Sequence, residues 1–196
     1  VELVEREVDF AKLDELIRKE IPYGREVRDE LHALNAEIDL TQLHCADQVN
    51  LNRTMRSIGS LGGGNHFIEV DRSEDGRLFL VVHSGSRHLG TEVAEYYQNE
   101  GRRALWGGAK YQIQKVIAQL KAEGRFQEIQ KTIKALKKEH SLNIPKDLAY
   151  VEGKLFEDYI HDMKLTQQFA MLNRKAMVDV IMKGMGFTAV EAFTTI

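Results

Sequence analysis

The chain reads as an α+β fold in which a small sheet is covered by helices on one side, and three observations predict it. Two stretches rich in Phe, Ile and Val, 66–70 and 78–83, are joined by "DRSEDGRL", whose Asp75-Gly76 pair is a strong hairpin signal. Helical periodicity surrounds them, with apolar residues returning at i, i+3 and i+4. No apolar run reaches the roughly 18 residues that a bilayer span requires, and 43% hydrophobic with 29% charged residues is the balance of an ordinary globular protein.

The first element is helical. "FAKLDELIRKEIPYG" places Phe10, Leu13, Leu16 and Ile17 on one helical face and stops at Ile21-Pro22 and Gly24. A second amphipathic helix is expected from about Val27 to Leu40, with Leu31, Leu34 and Ile38 inward. The two strands come next. Helices then cover 91–105, "YQIQKVIAQLKAE" and, after Gly124, "FQEIQKTIKALKKEH", the last two as an αα-hairpin. "SLNIP" is a loop, and Leu155 to Met182 is one long helix. A final helix is expected to open on the capping box Thr188-x-x-Glu191.

Charge and cysteine content narrow the classes. The net charge of -3 gives no indication of nucleic acid by itself, but residues 110–139 hold 8 Lys/Arg against 3 Glu, a local basic face of the kind that binds phosphates. The single cysteine, Cys45, forms no internal disulfide, and the chain start has no signal-peptide organisation. Together these point to the cytoplasm. Cys45 itself reads as a small buried hydrophobe. His44, His140 and His161 sit on surfaces or helices without partner motifs.

The chemistry concentrates at "GSLGGGNHFIEV", residues 59–70. Glycine is the costliest residue to order, so a cluster of it before a strand marks unusual backbone angles or a group pressed against the chain. With Asp75-Gly76 as a two-residue turn, Ile68 faces His83 and His66 faces Gly85. His66 and His83 then share one face as diagonal neighbours, roughly 7–8 Å apart at the backbone, placed to share a metal ion. Glu69 falls on the opposite face. The second strand runs into "HSGSRHLG", residues 83–90, where Ser84, Gly85, Ser86 and Arg87 precede a helix expected near Thr91. Free amides, two hydroxyls and a guanidinium there form a candidate anion site.

"LGGGNHFIEV" followed by "HSGSRHLG" resembles the RtcB family of GTP- and manganese-dependent RNA-splicing ligases, and the resemblance extends over most of the chain. "IPYG" is similar to the family's upstream Ile-Pro segment, and "DYIHDMKLTQQFAMLNRKAM" to its long downstream helix ending in Asn-Arg. The resemblance implies an RtcB-like α+β fold over 1–196 as a single domain, the central part of such a ligase and truncated at both ends, with a helical insertion at about 108–143. It implies joining of RNA 3′-phosphate or 2′,3′-cyclic phosphate ends to 5′-hydroxyl ends through a histidine–GMP intermediate, with GTP and two Mn²⁺ ions in the complete protein. His66 and His83 would be manganese ligands. Asn65, Phe67 and Glu69 would line the guanylate pocket, and Arg53 and Arg87 would hold RNA or substrate phosphates.

The family's upstream Asp and Cys, its third metal-binding His and its guanylylated His have no match here, and His88 stands where many relatives have Gly. The expectation is an incomplete, inactive portion of the ligase. Two other classes remain open: a metal-dependent phosphoesterase reusing the His pair to activate water, and a non-catalytic RNA- or phosphate-binding module using Arg53, Arg87 and the lysine-rich helices.

Overall fold

The structure is a computed structural model that describes residues 1–139 and 145–194. His140 and most of the "SLNIP" loop lie outside the described residues, as does part of the expected insertion. The chain divides into two compact units, Val1–Val93 with Ile160–Ile196, and Ala94–Tyr159.

The first unit is built on a four-stranded sheet in the order β2-β3-β1-β4, comprising β1 (Glu2–Leu3), β2 (Phe67–Arg72), β3 (Leu78–His83) and β4 (Ala189–Glu191). The strand pairs β2/β3, β1/β3 and β1/β4 are all antiparallel. One face carries Ile68, Val70, Leu78, Leu80 and Val82. It packs with Leu3 against Leu13 and Ile21 from α1 (Phe10–Glu20) and its end, and against Met177 and Ile181 of α5 (Gly153–Met185). Each fully buried aliphatic side chain there contributes about 1.5–3 kcal/mol. Helix α1 starts on Asp9, whose carboxylate accepts from the Lys12 amide. A Cβ on Gly184 of α5 would lie 2.5 Å from the Leu16 side chain, so α1 and α5 approach as closely as they do because that position has none. Strand alternation puts Phe67, Glu69 and Asp71, with Phe79, Val81 and His83, on the other face.

The hairpin register differs from the expected one by a residue. Phe67 pairs with His83 and Ile68 with Val82, because the loop holds three residues and not two. The Gly76 amide donates to the Ser73 carbonyl and the Ser73 amide to the Arg77 carbonyl, both at 2.9 Å, and Gly76 adopts φ 83°. A turn closed by a left-handed glycine is the usual three-residue hairpin. Glu69 therefore shares its face with His83, contrary to expectation.

Two expected helices are absent. The segment 27–40 forms short 3-10 turns at Ala33–Glu37 and Leu40–Gln42. Here side chains take over backbone partners: His32 Nδ1 accepts from the Leu34 amide and Asp39 from the Thr41 amide, while the Asn35 amide group donates to the His32 and Met55 carbonyls. Such local bonds compete with helix, and Leu31 ends up exposed. Ala189–Glu191 is strand, and no capped helix opens at Thr188. The Thr188 amide donates to the Glu5 carboxylate, its carbonyl accepts from Val4, and Glu191 pairs with Glu2. Sheet pairing here overrides the local capping signal.

The other α-helices are α2 (Leu51–Arg56), capped by Asn50 accepting from the Arg53 amide, α3 (Leu89–Ala122) and α4 (Ile129–Glu139). Helix α3 is continuous where two helices were expected. In the second unit, Tyr97 meets Tyr96 and Tyr159 at ring-centroid distances of 4.9 and 5.3 Å. Arg102 pairs there with Asp147. No described helix is long and apolar enough to cross a membrane.

The three-residue hairpin predicts that Gly76→Ala costs about 1 kcal/mol of stability, because alanine is strained at positive φ. Urea denaturation measures this directly. An unchanged midpoint would contradict the left-handed turn.

Candidate functional site

The glycine-rich segment is held by a residue 113 positions away along the chain. Asn173 on α5 is fully buried. Its Oδ1 accepts from the Gly59 and Ser60 amides at 2.8 and 3.1 Å, and its Nδ2 donates to Ser84 Oγ and the Gly85 carbonyl at 3.2 and 2.9 Å. A side-chain amide has two donors and two acceptor positions, and all four are used. One residue thus ties the approach to β2, the exit of β3 and the long helix together. Arg174 adds a bond to the Ser84 carbonyl, and Ser84 Oγ donates to the Leu61 carbonyl. On the other side of the segment Arg28 donates to the Ile58 and Gly59 carbonyls.

At Gly62 the reason for the glycine is steric. Its φ is 96°, and a Cβ there would sit 1.8 Å from Arg87 Nη1 and 2.3 Å from His66 Nδ1. Any side chain would displace both groups. Arg87, itself at φ 57°, donates from Nε to Ser60 Oγ and from Nη2 to the Gly24 carbonyl. Burial, and then the charge of Arg53, lower its pKa.

His66 precedes β2 and His83 ends β3, and their ring centroids lie 6.0 Å apart at 59°. In the observed register strict alternation would send them to opposite faces. They meet because His66 lies outside the strand, in the turn that the glycines make. The Phe67 ring stacks on His83 at 5.1 Å and 16°. Burial first, and Arg87 second, push the His66 pKa below its ordinary value. The nearby Leu61 carbonyl opposes this without closing a normal hydrogen bond, so Nδ1 is buried with no hydrogen-bond partner among the described residues. A neutral imidazole is the form that ligates a metal.

His66 and Arg87 also line a cleft of about 530 Å³ with Arg25, Arg53, His88 and Glu92. Three guanidinium groups and two imidazoles against one carboxylate make it a place for anions. The Arg53 guanidinium donates to the Arg25 carbonyl. The expected anion site at the helix start is partly filled from within. Helix α3 begins at Leu89, and Ser86 Oγ accepts the Gly90 amide at 3.1 Å, while Ser84 is buried in the Asn173 network.

Of the residues singled out from sequence, Arg53, His66 and Arg87 thus meet at one cleft, and Phe67 and His83 at one stack. Asn65 is exposed in the turn before β2, and Glu69 is exposed on the His83 face. Sequence reasoning missed the roles of Asn173 and Arg28, although the Asn-Arg pair in the long helix was a signal for the first. It also missed that His44 and His161 are neighbours, with ring centroids 4.7 Å apart. Cys45 is buried as expected, and burial followed by the Asp162 carboxylate pushes its thiol pKa up to about 12.

The family model for the tRNA-splicing ligase RtcB matches residues 5–192, and the chain belongs to that family. It is 28% identical to the RNA-splicing ligase RtcB of Escherichia coli K12 over 205 residues, covering 95% of this chain and 41% of that protein. It is 37% identical to the tRNA-splicing ligase RtcB of Pyrococcus horikoshii over 70 residues, or 29% of this chain and 8% of that protein. The chain thus spans about two fifths of the length of the Escherichia coli relative. No solved structure matches it.

Two outcomes are expected from these contacts. Asn173→Ala should lower stability by about 2–4 kcal/mol, because it strands buried amides and a carbonyl; a loss below about 1 kcal/mol in urea denaturation would contradict the clamp. The second concerns pH. His66 and His32 both have pKa values lowered first by burial, so the unfolded state binds more protons between the folded and unfolded values. The stability these groups contribute is present above about pH 6.5 and is lost as pH falls through their folded values. The urea midpoint should drop between pH 7 and 5.5, less steeply in His66→Gln. A midpoint that rises on acidification would refute this.

Proposed function

We propose that this chain supplies metal- and phosphate-handling parts of an RNA ligase of the RtcB type, acting in the cytoplasm. The reaction joins RNA 3′-phosphate or 2′,3′-cyclic phosphate ends to 5′-hydroxyl ends through a histidine–GMP intermediate. The observation that carries this reading is the convergence of His66 with His83 on one side and with Arg25, Arg53 and Arg87 on the other.

The residues fit a metal ion. His66 Nδ1 is a buried nitrogen with no hydrogen-bond partner among the described residues, the Gly62 cradle keeps the ring where it is, and two imidazoles suit a divalent transition metal. Bound Mn²⁺ would polarise phosphate oxygens and stabilise negative charge developing on them. Within this chain, Arg53 and Arg87 orient phosphates through charge-assisted bonds. Arg87 is held by Ser60 and Gly24, so it meets a phosphate with little reorganisation. For the guanylate of GTP, Phe67 offers a ring face and Glu69 a carboxylate on the same strand face, with Asn65 in the adjoining turn. Aromatic rings and bases stack sequence-tolerantly, and the carboxylate favours a base with N–H donors. None of the histidines in this chain resembles the family's guanylylated one.

Two imidazoles are fewer than the three protein ligands a transition-metal site ordinarily uses. Calorimetric titration of the 196-residue chain with Mn²⁺ should therefore give a shallow isotherm, and His66→Ala or His83→Ala should remove the part of the heat that this pair contributes. A titration unaffected by both substitutions would refute the ligand assignment. Radiolabelled GTP tests the activity. A protein carrying these residues within the length of its relatives should form a covalent GMP adduct, lost in His83→Ala, whereas Arg87→Ala should mainly weaken RNA joining. The 196-residue chain alone should take no label. No label on the longer protein would overturn the ligase reading.

A further inference from the structure

We propose that His44, His161 and Asp162 form a binding site for a divalent transition-metal ion, with the two imidazoles and the Asp162 carboxylate as its protein ligands. One ligand atom from each residue lies within 4.8 Å of the other two. The His44 and His161 ring centroids are 4.7 Å apart at 56°, and His161 Nδ1 is 3.0 Å from Asp162 Oδ1. None of these residues lines the arginine cleft.

The backbone fixes the carboxylate independently of any ion. Asp162 is fully buried, and its oxygens accept from the His44 and Cys45 amides at 2.9 and 3.1 Å. These bonds explain why a buried carboxylate is tolerated on α5, since they staple the 43–46 loop to the helix. They do not explain why two neighbouring imidazoles stand beside it. Both rings reach solvent, so neither fills the core, and side chains from positions more than a hundred residues apart are brought to one carboxylate. Two imidazoles with a carboxylate are a donor set for zinc, cobalt, nickel or ferrous iron. Ligand–metal bonds of about 2.0–2.2 Å require the three atoms to draw slightly closer than they stand, which rotation of two exposed rings supplies. The retained amide bonds act as outer partners that orient the carboxylate. Exposure of both rings leaves coordination positions open to water, the pattern of a three-ligand site. The neighbouring Cys45 is buried and is not needed as a donor.

Cobalt(II) is the probe, because its visible absorption reports protein ligation and coordination number. In a His66→Ala/His83→Ala variant, which removes the other imidazole pair, one equivalent of Co²⁺ should still bind with a visible band. Adding His44→Ala or His161→Ala should weaken that binding by at least about 100-fold, more than loss of an outer partner costs. Asp162 keeps its bonds from the His44 and Cys45 amides in these variants, so both should still fold, His161→Ala with a lower metal-free melting temperature because the carboxylate loses that imidazole. Zn²⁺ should raise the melting temperature of the His66→Ala/His83→Ala variant and should not do so after His161→Ala. Should the double variant fail to fold, the same single substitutions in the otherwise unaltered chain should reduce the Co²⁺ stoichiometry by one. No Co²⁺ binding in the folded double variant, or binding indifferent to His44 and His161, overturns the proposal without touching the ligase reading.

Discussion

The four hydrogen bonds of Asn173 are the constraint on which the site depends. A buried side-chain amide is costly unless every donor and acceptor finds a partner, and here the partners are two amides of the glycine-rich segment, a hydroxyl and a carbonyl at the end of β3. The same helix inserts Met177 and Ile181 into the core under the sheet. Packing and hydrogen bonding therefore fix one relative position of helix, strand end and turn. Little freedom is left for the histidines that emerge from the two segments.

That constraint has a short chain of steric consequences. The turn brings Gly62 beneath Arg87 and His66, and the missing Cβ lets both groups occupy the space. Arg87 accepts a left-handed backbone and partial burial, with two hydrogen bonds in return. Burial first, and the Arg87 charge second, favour the neutral His66 ring, the form a metal requires. The glycines before the histidine thus serve less as flexible linkers than as clearance for a guanidinium and an imidazole.

The sequence made the outline legible because its signals there were local. The α1 and α5 helices and the two hairpin strands arise from periodicity and turn chemistry within a few residues, whereas His66 and His83 meet for a reason the expected register did not contain, the position of His66 outside β2. The register was not legible, because Asp75-Gly76 suits both a two-residue turn and the left-handed end of a three-residue one. Thr188 to Glu191 carries a sound capping signal that loses to pairing with Glu2–Leu3, a partner at the far end of the sequence. Residues 27–40 have a helical stripe, but His32, Asn35 and Asp39 spend their side chains on nearby backbone groups. The roles of Asn173 and Asp162 were illegible for one reason: a polar residue in a helix discloses its partners only when the distant loop it holds is in place.

The most direct test of the central claim, that the clamped turn presents His66 and His83 to one ion, is anomalous diffraction from crystals of the chain soaked in Mn²⁺. The expected result is a peak about 2–2.5 Å from ring nitrogens of both His66 and His83, with Asn173 still bonded to Gly59 and Ser60. An ion bound elsewhere while these two imidazoles stand apart would contradict it.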